Sequence, residues 1–158
     1  MRQNQGQLFV ALVIIKNIKN NAADSNKTMM KSVLYNGAVK EYLEHNYSLE
    51  NDPKFQKLLP DVMREVYTAY VENQIKGSED IIKLFSELGG AYDTQEREKE
   101  KIEKAKRLLP DNPEEAARVF MMMGSCHELW GLQKNILKEK YGITWYTPSE
   151  VYPHIIFD

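Results

Sequence analysis

The sequence predicts an all-α fold, a single-domain bundle of about six or seven helices. Two observations support this prediction. Apolar residues recur at steps of three and four in one segment after another, which places them on one face of a helix. Most of these segments also begin at a capping residue or a proline and end at a glycine, as helices commonly do.

The length and the cysteine content of the chain agree with one packed domain across residues 1–158. A chain of this size can bury roughly 70% of the surface that its unfolded form exposes, so packing alone can stabilise it. The single cysteine, Cys126, cannot form an internal disulfide, which is typical of a protein kept in a reducing compartment. We therefore expect a cytoplasmic protein.

The N-terminal region is the part whose secondary structure the sequence leaves open. Residues 1–20 form an apolar element, and its run from Leu8 to Ile15 could be helix or strand because it is rich in β-branched residues. If this run pairs with the C-terminal tail, the fold is α+β, which is the alternative to the all-α bundle. The run is far shorter than the roughly 20 residues of a membrane-spanning helix. It also lacks the strongly basic start of a secretion signal.

The next helix is predicted from about Ser25 to Leu43. Asp24 or Ser25 would cap its N-terminus. The apolar residues that would line one of its faces are Met30, Val33, Leu34, Ala38 and Tyr42.

Asp52 and Pro53 predict the start of a further helix, because aspartate is a good N-cap and proline suits the first helical position. We expect Pro60 to end or kink this helix, since proline removes one backbone hydrogen bond. A longer helix is then predicted to run to about Lys76.

Glycines mark the ends of the next two predicted helices. Gly77 is expected to follow the end of the longer helix, and Ser78 is expected to cap another one. That helix would stop at the pair Gly89 and Gly90. Its apolar face would consist of Ile81, Leu84, Phe85 and Leu88.

Residues 93–109 are predicted to form a charged outer helix. Asp93 and Glu96 fit a capping box at its start. In its middle only Ile102 and Ala105 are apolar, so the helix can bury just a thin seam. The simplest interpretation is a solvated helix stabilised by opposite charges three and four residues apart; a coiled-coil partner surface is the alternative.

The segment from Pro113 to Tyr141 is predicted to be the hydrophobic centre of the chain and to form the core. Asn112–Pro113 would start its first helix. A break is expected at Gly124, where Ser125–Glu128 has the pattern of a capping box. The helix after the break would end at Gly142.

Residues 142–158 form an aromatic C-terminal tail. Within it, Thr147 and Glu150 fit another capping box around Pro148, which predicts one or two helical turns that stop at Pro153. The apolar residues that follow could cover the bundle or add a strand.

The residues around the expected break form one candidate site. Glycine inside a helix costs up to about 1 kcal/mol relative to alanine, so Gly131 suggests that another group approaches closely there. Glu128 would line such a slot, with His127 and Trp130 beside it. The site would serve a ligand or a partner. Cys126, His127 and Glu128 are adjacent, but consecutive helical side chains diverge, so they do not predict a catalytic triad.

A second candidate site is a partner interface made of aromatic residues, because Tyr and Trp are common in binding hot spots. The same residues could instead anchor the tail to its own domain. These aromatic residues are Tyr141, Trp145, Tyr146, Tyr152 and Phe157.

The methionines at 121–123 cover most of a helix circumference, so at least one should point away from the core.

No motif in the sequence predicts a catalytic, cofactor or metal site. The stretch that starts at His127 has Gly131 where a zinc-protease helix needs its second histidine. We therefore expect a non-enzymatic helical module that binds a protein or another copy of itself, of the kind used as bacterial or phage accessory proteins. The alternatives are a small nucleic-acid-binding regulator, or a ligand-binding or enzymatic domain around Glu128. A net charge of −2 and scattered basic residues argue against nucleic acid.

Overall fold

The computed structural model describes residues 37–90, 92–153 and 155–157, which form six helices and no strand. The all-α prediction is confirmed. Of the residues proposed to pair as strands, Leu8 to Ile15 lie outside the described residues, as does the whole element 1–20. The helices are α1 (Gly37–Glu50), α2 (Pro53–Leu88), α3 (Tyr92–Leu108), α4 (Pro113–Arg118), α5 (Ser125–Tyr141) and α6 (Pro148–Val151).

Both ends of α2 follow from local chemistry. The Asp52 side chain accepts a hydrogen bond from the backbone N–H of Lys54, and Pro53 occupies the first turn. At the other end Gly89 adopts a left-handed conformation with φ of 67°. This conformation is far easier for glycine than for other residues. The predicted start and end are both confirmed.

The predicted interruptions of α2 are wrong, because the helix continues for 36 residues through Pro60 and Gly77. Pro60 is exposed, while Leu59 and Val62 beside it are buried. The packing of such residues offsets the missing hydrogen bond of the proline. Ser78 is also no cap: it is buried, and its hydroxyl donates to Glu98 of α3 at 2.6 Å.

The core is centred on α2, which packs against α3, α4 and α5. The prediction that Pro113–Tyr141 would be its centre is therefore wrong, although α4 and α5 cover one side of α2. The buried face of α2 can contact several helices because this helix is long enough to pass all of them. The largest fully buried side chains among the described residues are Tyr70, Leu137, Val62, Val66 and Val71.

Helix α3 matches the predicted charged outer helix. Its buried side chains are Ile102 and Ala105, which form the expected thin seam. It begins at Tyr92, so Asp93 lies inside the first turn and is not the cap that the sequence predicted. Ion pairs three residues apart stabilise its solvent-facing side, including Lys99 with Glu96 at 2.8 Å.

The break between α4 and α5 covers residues 119–124, so it begins earlier than predicted; it ends at Gly124, which has a φ of 83°. Helix α4 is short, and its N-cap is Asn112, whose side chain accepts from the N–H of Glu115 at 3.2 Å. The predicted capping box at Ser125 is wrong because Gly124 holds the N-cap position. Ser125 Oγ accepts instead from the N–H of Met122 at 2.9 Å. Helix α5 ends at Gly142 as expected.

The C-terminal segment returns to α1. In α6, Thr147 and Glu150 form the predicted capping box, and Glu150 also pairs with Lys134 of α5. Helix α1 contacts both α6 and α2. It extends past the expected end at Leu43, whereas its predicted start at Ser25 lies outside the described residues. None of the described helices combines the length and the apolar character needed to cross a membrane.

Candidate interaction surfaces

The residues of the predicted slot point in two directions. Glu128 is exposed and accepts a hydrogen bond from Nε2 of Gln74 on α2 at 2.9 Å. His127 is also exposed, and it contacts the C-terminal tail. Cys126 is half-buried. The structure does not bring these three neighbours together on one substrate atom.

His127 and Trp130 receive the end of the tail. The rings of Trp130 and Phe157 meet edge to face, with centroids 5.1 Å apart, and the His127 ring packs against Trp130 at 5.3 Å. His127 Nε2 lies 3.0 Å from the carbonyl oxygen of Phe157. His127 Nδ1 lies 3.2 Å from Ser149 Oγ. We call His127 and Trp130 together the α5 face.

Gly131 is not explained by a close neighbour. Apart from its chain neighbours and the adjacent backbone of its own helix, a Cβ built on this residue would meet no atom of the described residues within 4 Å. The expectation of a close approach at Gly131 is therefore wrong for the described residues.

The aromatic residues proposed as an interface all contact their own chain. Trp145 and Tyr152 are buried, with 6% and 9% of their surfaces exposed. Tyr146 stacks on Tyr42 of α1, with ring centroids 3.9 Å apart. Tyr141 donates to Glu65 of α2 at 2.7 Å, while Phe157 packs on Trp130, as described above. A role for them in binding a partner stays a prediction.

Three residues of α1 that the sequence did not single out hold the tail. Asn46 is buried and pairs with the backbone of Tyr146: its Nδ2 donates to the carbonyl at 2.6 Å, and its Oδ1 accepts from the N–H at 3.0 Å. His45 Nε2 lies 2.7 Å from the carbonyl oxygen of Thr144 and must donate to it. Glu50 accepts from the Trp145 side chain. About 100 residues separate these partners, so no local pattern could have revealed them.

A groove of about 340 Å³ lies between α2 and α5. At its edge the carboxylate of Glu65 accepts from Lys140 and from Tyr141, each at 2.7 Å. The hydrogen bond from Lys140, followed by that from Tyr141, holds the pKa of Glu65 below its usual value. Two of the charged side chains that line the groove are thus engaged within the chain, since Arg64 also donates to the carbonyl oxygen of Pro110 at 2.9 Å. The lining residues are Arg64, Glu65, Thr68, Ala69, Glu72 and Ile136.

The end of α2 and the start of α3 form a helical hairpin with an apolar tip. The last buried residue of α2 is Ser78, one turn before the tip begins. Polar pairs join the two helices there, including Ser86 with Gln95 at 3.0 Å. Large apolar side chains remain open to solvent on the outside. These residues, which we call the hairpin tip, are Ile81, Leu84, Leu88 and Tyr92, with 42%, 52%, 73% and 72% of their surfaces exposed.

The turn before α5 carries a second exposed apolar group. Met122 and Met123 are 75% and 80% exposed, while Met121 packs against the core. The expectation that at least one methionine would point away from the core is confirmed. Ile156 of the tail is 87% exposed.

The described residues contain no group of three or more His, Cys, Asp and Glu side chains placed to hold a metal ion. Comparisons with protein-family models, with curated proteins and with solved structures found no match.

Proposed function

We propose that this chain is a non-enzymatic helical protein-interaction module that binds a partner protein through the hairpin tip. The observation that carries the proposal is the exposure of Leu84, Leu88 and Tyr92 on one end of the hairpin. Contiguous apolar side chains on a surface commonly mark interaction sites, because their exposure to water is unfavourable until a partner covers them.

The surroundings of the hairpin tip support this assignment. Lys83 and Glu87 are exposed beside the apolar residues. They give the patch the polar rim that surrounds the apolar centre of many interfaces. The tip residues also lie on two helices, so a partner would not need to order a loop. We propose a cytoplasmic setting, which the single free cysteine, Cys126, favours.

The hairpin tip is favoured over the exposed methionines for a physical reason. Ile81, Leu84 and Leu88 follow one another at steps of three and four on a single helix face. They therefore present a continuous strip to a partner helix. Met122 and Met123 are adjacent in a turn and more flexible, so ordering them costs more side-chain entropy.

The test compares two double variants. Leu84→Lys with Leu88→Lys changes the hairpin tip, and Met122→Lys with Met123→Lys is the matched control, since it also places two lysines at exposed apolar positions. Each form is used to capture proteins from the source organism and is run on size-exclusion chromatography with light scattering. The thermal midpoint of each variant shows that the fold is retained.

We expect the unchanged chain and the methionine control to bind the same partner protein, or to self-associate to the same extent. The tip variant should lower its recovery or affinity roughly 10-fold or more, as the loss of two apolar anchors implies. Equal recovery with all three forms would overturn the proposal. A complex that contains only this chain would identify the partner as a second copy.

A further inference from the structure

The tail segment Ile155–Phe157 is bound to the α5 face in the manner of a short peptide ligand. It has no helix or strand structure of its own. Its aromatic ring packs on Trp130 at 5.1 Å, and its carbonyl oxygen lies 3.0 Å from His127 Nε2. One aromatic contact and one backbone hydrogen bond are the two elements that many peptide-binding sites use for recognition.

The hydrogen bonds of His127 fix how the site recognises this segment. A carbonyl oxygen only accepts, so Nε2 must carry the proton that it donates to Phe157. In the neutral ring Nδ1 then accepts from the hydroxyl of Ser149, which lies 3.2 Å away. Ser149 thus orients His127 from the opposite side. The α5 face therefore presents a donor of fixed direction next to an indole ring.

The bound segment is weakly attached beyond Tyr152. Tyr152 itself is buried, whereas Ile155 and Ile156 are 39% and 87% exposed. Pro153 is exposed between the buried anchor and the segment. In the described backbone the segment makes one further hydrogen bond, from the N–H of Ile155 to the carbonyl of Tyr152 at 3.0 Å. Release of residues 155–157 would therefore leave the anchor in place.

We propose that the α5 face is a binding site for an extended segment of another protein that carries an aromatic residue, and that Ile155–Phe157 occupies it as an exchangeable internal ligand. The occupant is defined by the chemistry that the tail displays: an aromatic side chain on Trp130 and the carbonyl of the same residue on His127 Nε2. A tethered ligand has a high effective concentration, so the tail keeps the site closed to weak competitors. The site is separate from the hairpin tip, and neither proposal depends on the other.

The experiment uses the full chain and a synthetic peptide with the sequence of residues 152–158 as the probe. Binding is followed by NMR through the indole N–H signals. The chain has two tryptophans, and the buried Trp145 serves as an internal reference for Trp130. The variants are Phe157→Ala, which removes the internal ligand, and Phe157→Leu, which removes only the ring. Ile156→Ala is the matched control because Ile156 is the more exposed residue.

We expect the peptide to shift the Trp130 signal and not the Trp145 signal. The Phe157→Ala and Phe157→Leu chains should bind it at least about 10-fold more tightly than the intact chain and the Ile156→Ala control, because the tethered competitor is lost. Adding His127→Ala, or replacing the phenylalanine of the peptide by alanine, should weaken this binding at least about 10-fold. Equal affinity of the intact and Phe157 variant chains would overturn the proposal, as would no binding to either folded variant at millimolar peptide.

Discussion

The carboxyl group of Glu50 lies at the end of α1, where the chain brings Trp145 against it. Burial raises the pKa of Glu50 above its usual value of 4.5, and the hydrogen bond from the Trp145 side chain opposes this rise only in part. The charged form is thus less stable in the folded protein than in the unfolded chain. The contribution of Glu50 to stability is present below pH 4.5 and is lost as the pH rises through its raised folded-state pKa.

The replacement Glu50→Gln should therefore raise the free energy of unfolding at pH 7. Glutamine keeps an acceptor for Trp145 and carries no charge to desolvate. Urea denaturation of both forms between pH 3.5 and pH 7, roughly, would measure the effect. The advantage of the variant should shrink as the pH falls through the raised pKa. An advantage that is constant with pH would show that the charge of Glu50 is not its cause.

At the scale of the element, α2 shows how packing overrides a local break. Pro60 removes the hydrogen bond that its N–H would make to the carbonyl of Gln56, yet the helix continues on both sides. Leu59 and Val62, beside it, are buried in the core. Burial of such residues contributes about 1.5–3 kcal/mol each, which exceeds the local cost of a proline when several of them act together.

Pro60→Ala should consequently stabilise the protein. Alanine restores the missing hydrogen bond and relieves the steric conflict, so we expect a gain of about 1–3 kcal/mol in the free energy of unfolding. Chemical denaturation measures this gain, and Lys57→Ala, at an exposed position of the same helix, is the control. If Pro60→Ala were destabilising, a bend at the proline would have to be required for the packing of α2.

At the scale of the whole molecule, a buried amide of α1 helps to hold the C-terminal segment against this helix. Asn46 satisfies both backbone groups of Tyr146, and the rings of Tyr42 and Tyr146 stack beside this pair. The hydrogen bonds join parts of the chain 100 residues apart. They position the segment that carries α6. Residues 155–157, which lie on the α5 face, follow this segment in the chain.

Asn46→Ala should destabilise the fold by about 1–3 kcal/mol, because it leaves buried backbone groups of Tyr146 without partners. Asn135→Ala, at an exposed position of α5, should change stability by less than about 0.5 kcal/mol. Urea denaturation of both variants makes the comparison. A similar small effect for both would mean that water replaces the Asn46 amide and that the contact with α1 is dispensable.

Much of the helical architecture could be predicted locally, because helix ends depend on chemistry within a few residues. Asp52 and Thr147 cap their helices, and Gly89 and Gly142 follow helix ends as predicted. The failed prediction of a cap at Ser78 has a tertiary cause. Ser78 has a better partner in Glu98 of α3 than in its own backbone, and a pattern within one segment cannot show that partner.

The candidate sites were less predictable because exposure depends on which helices are neighbours. Leu84 and Leu88 have the spacing of a buried helix face, yet α3 leaves them open. Conversely, the exposure of His127 and its contact with the tail depend on how the C-terminal segment folds back.

By itself, then, the sequence determined the helical class, most of the helix ends and the charged outer helix, since these follow from periodicity and capping. Only the tertiary structure decided that α2 is the centre of the core. Only the tertiary structure shows that the hairpin tip is exposed and that Phe157 packs on Trp130. The physical reason is that burial is a property of pairs of elements, and the residues that pair lie far apart along the chain.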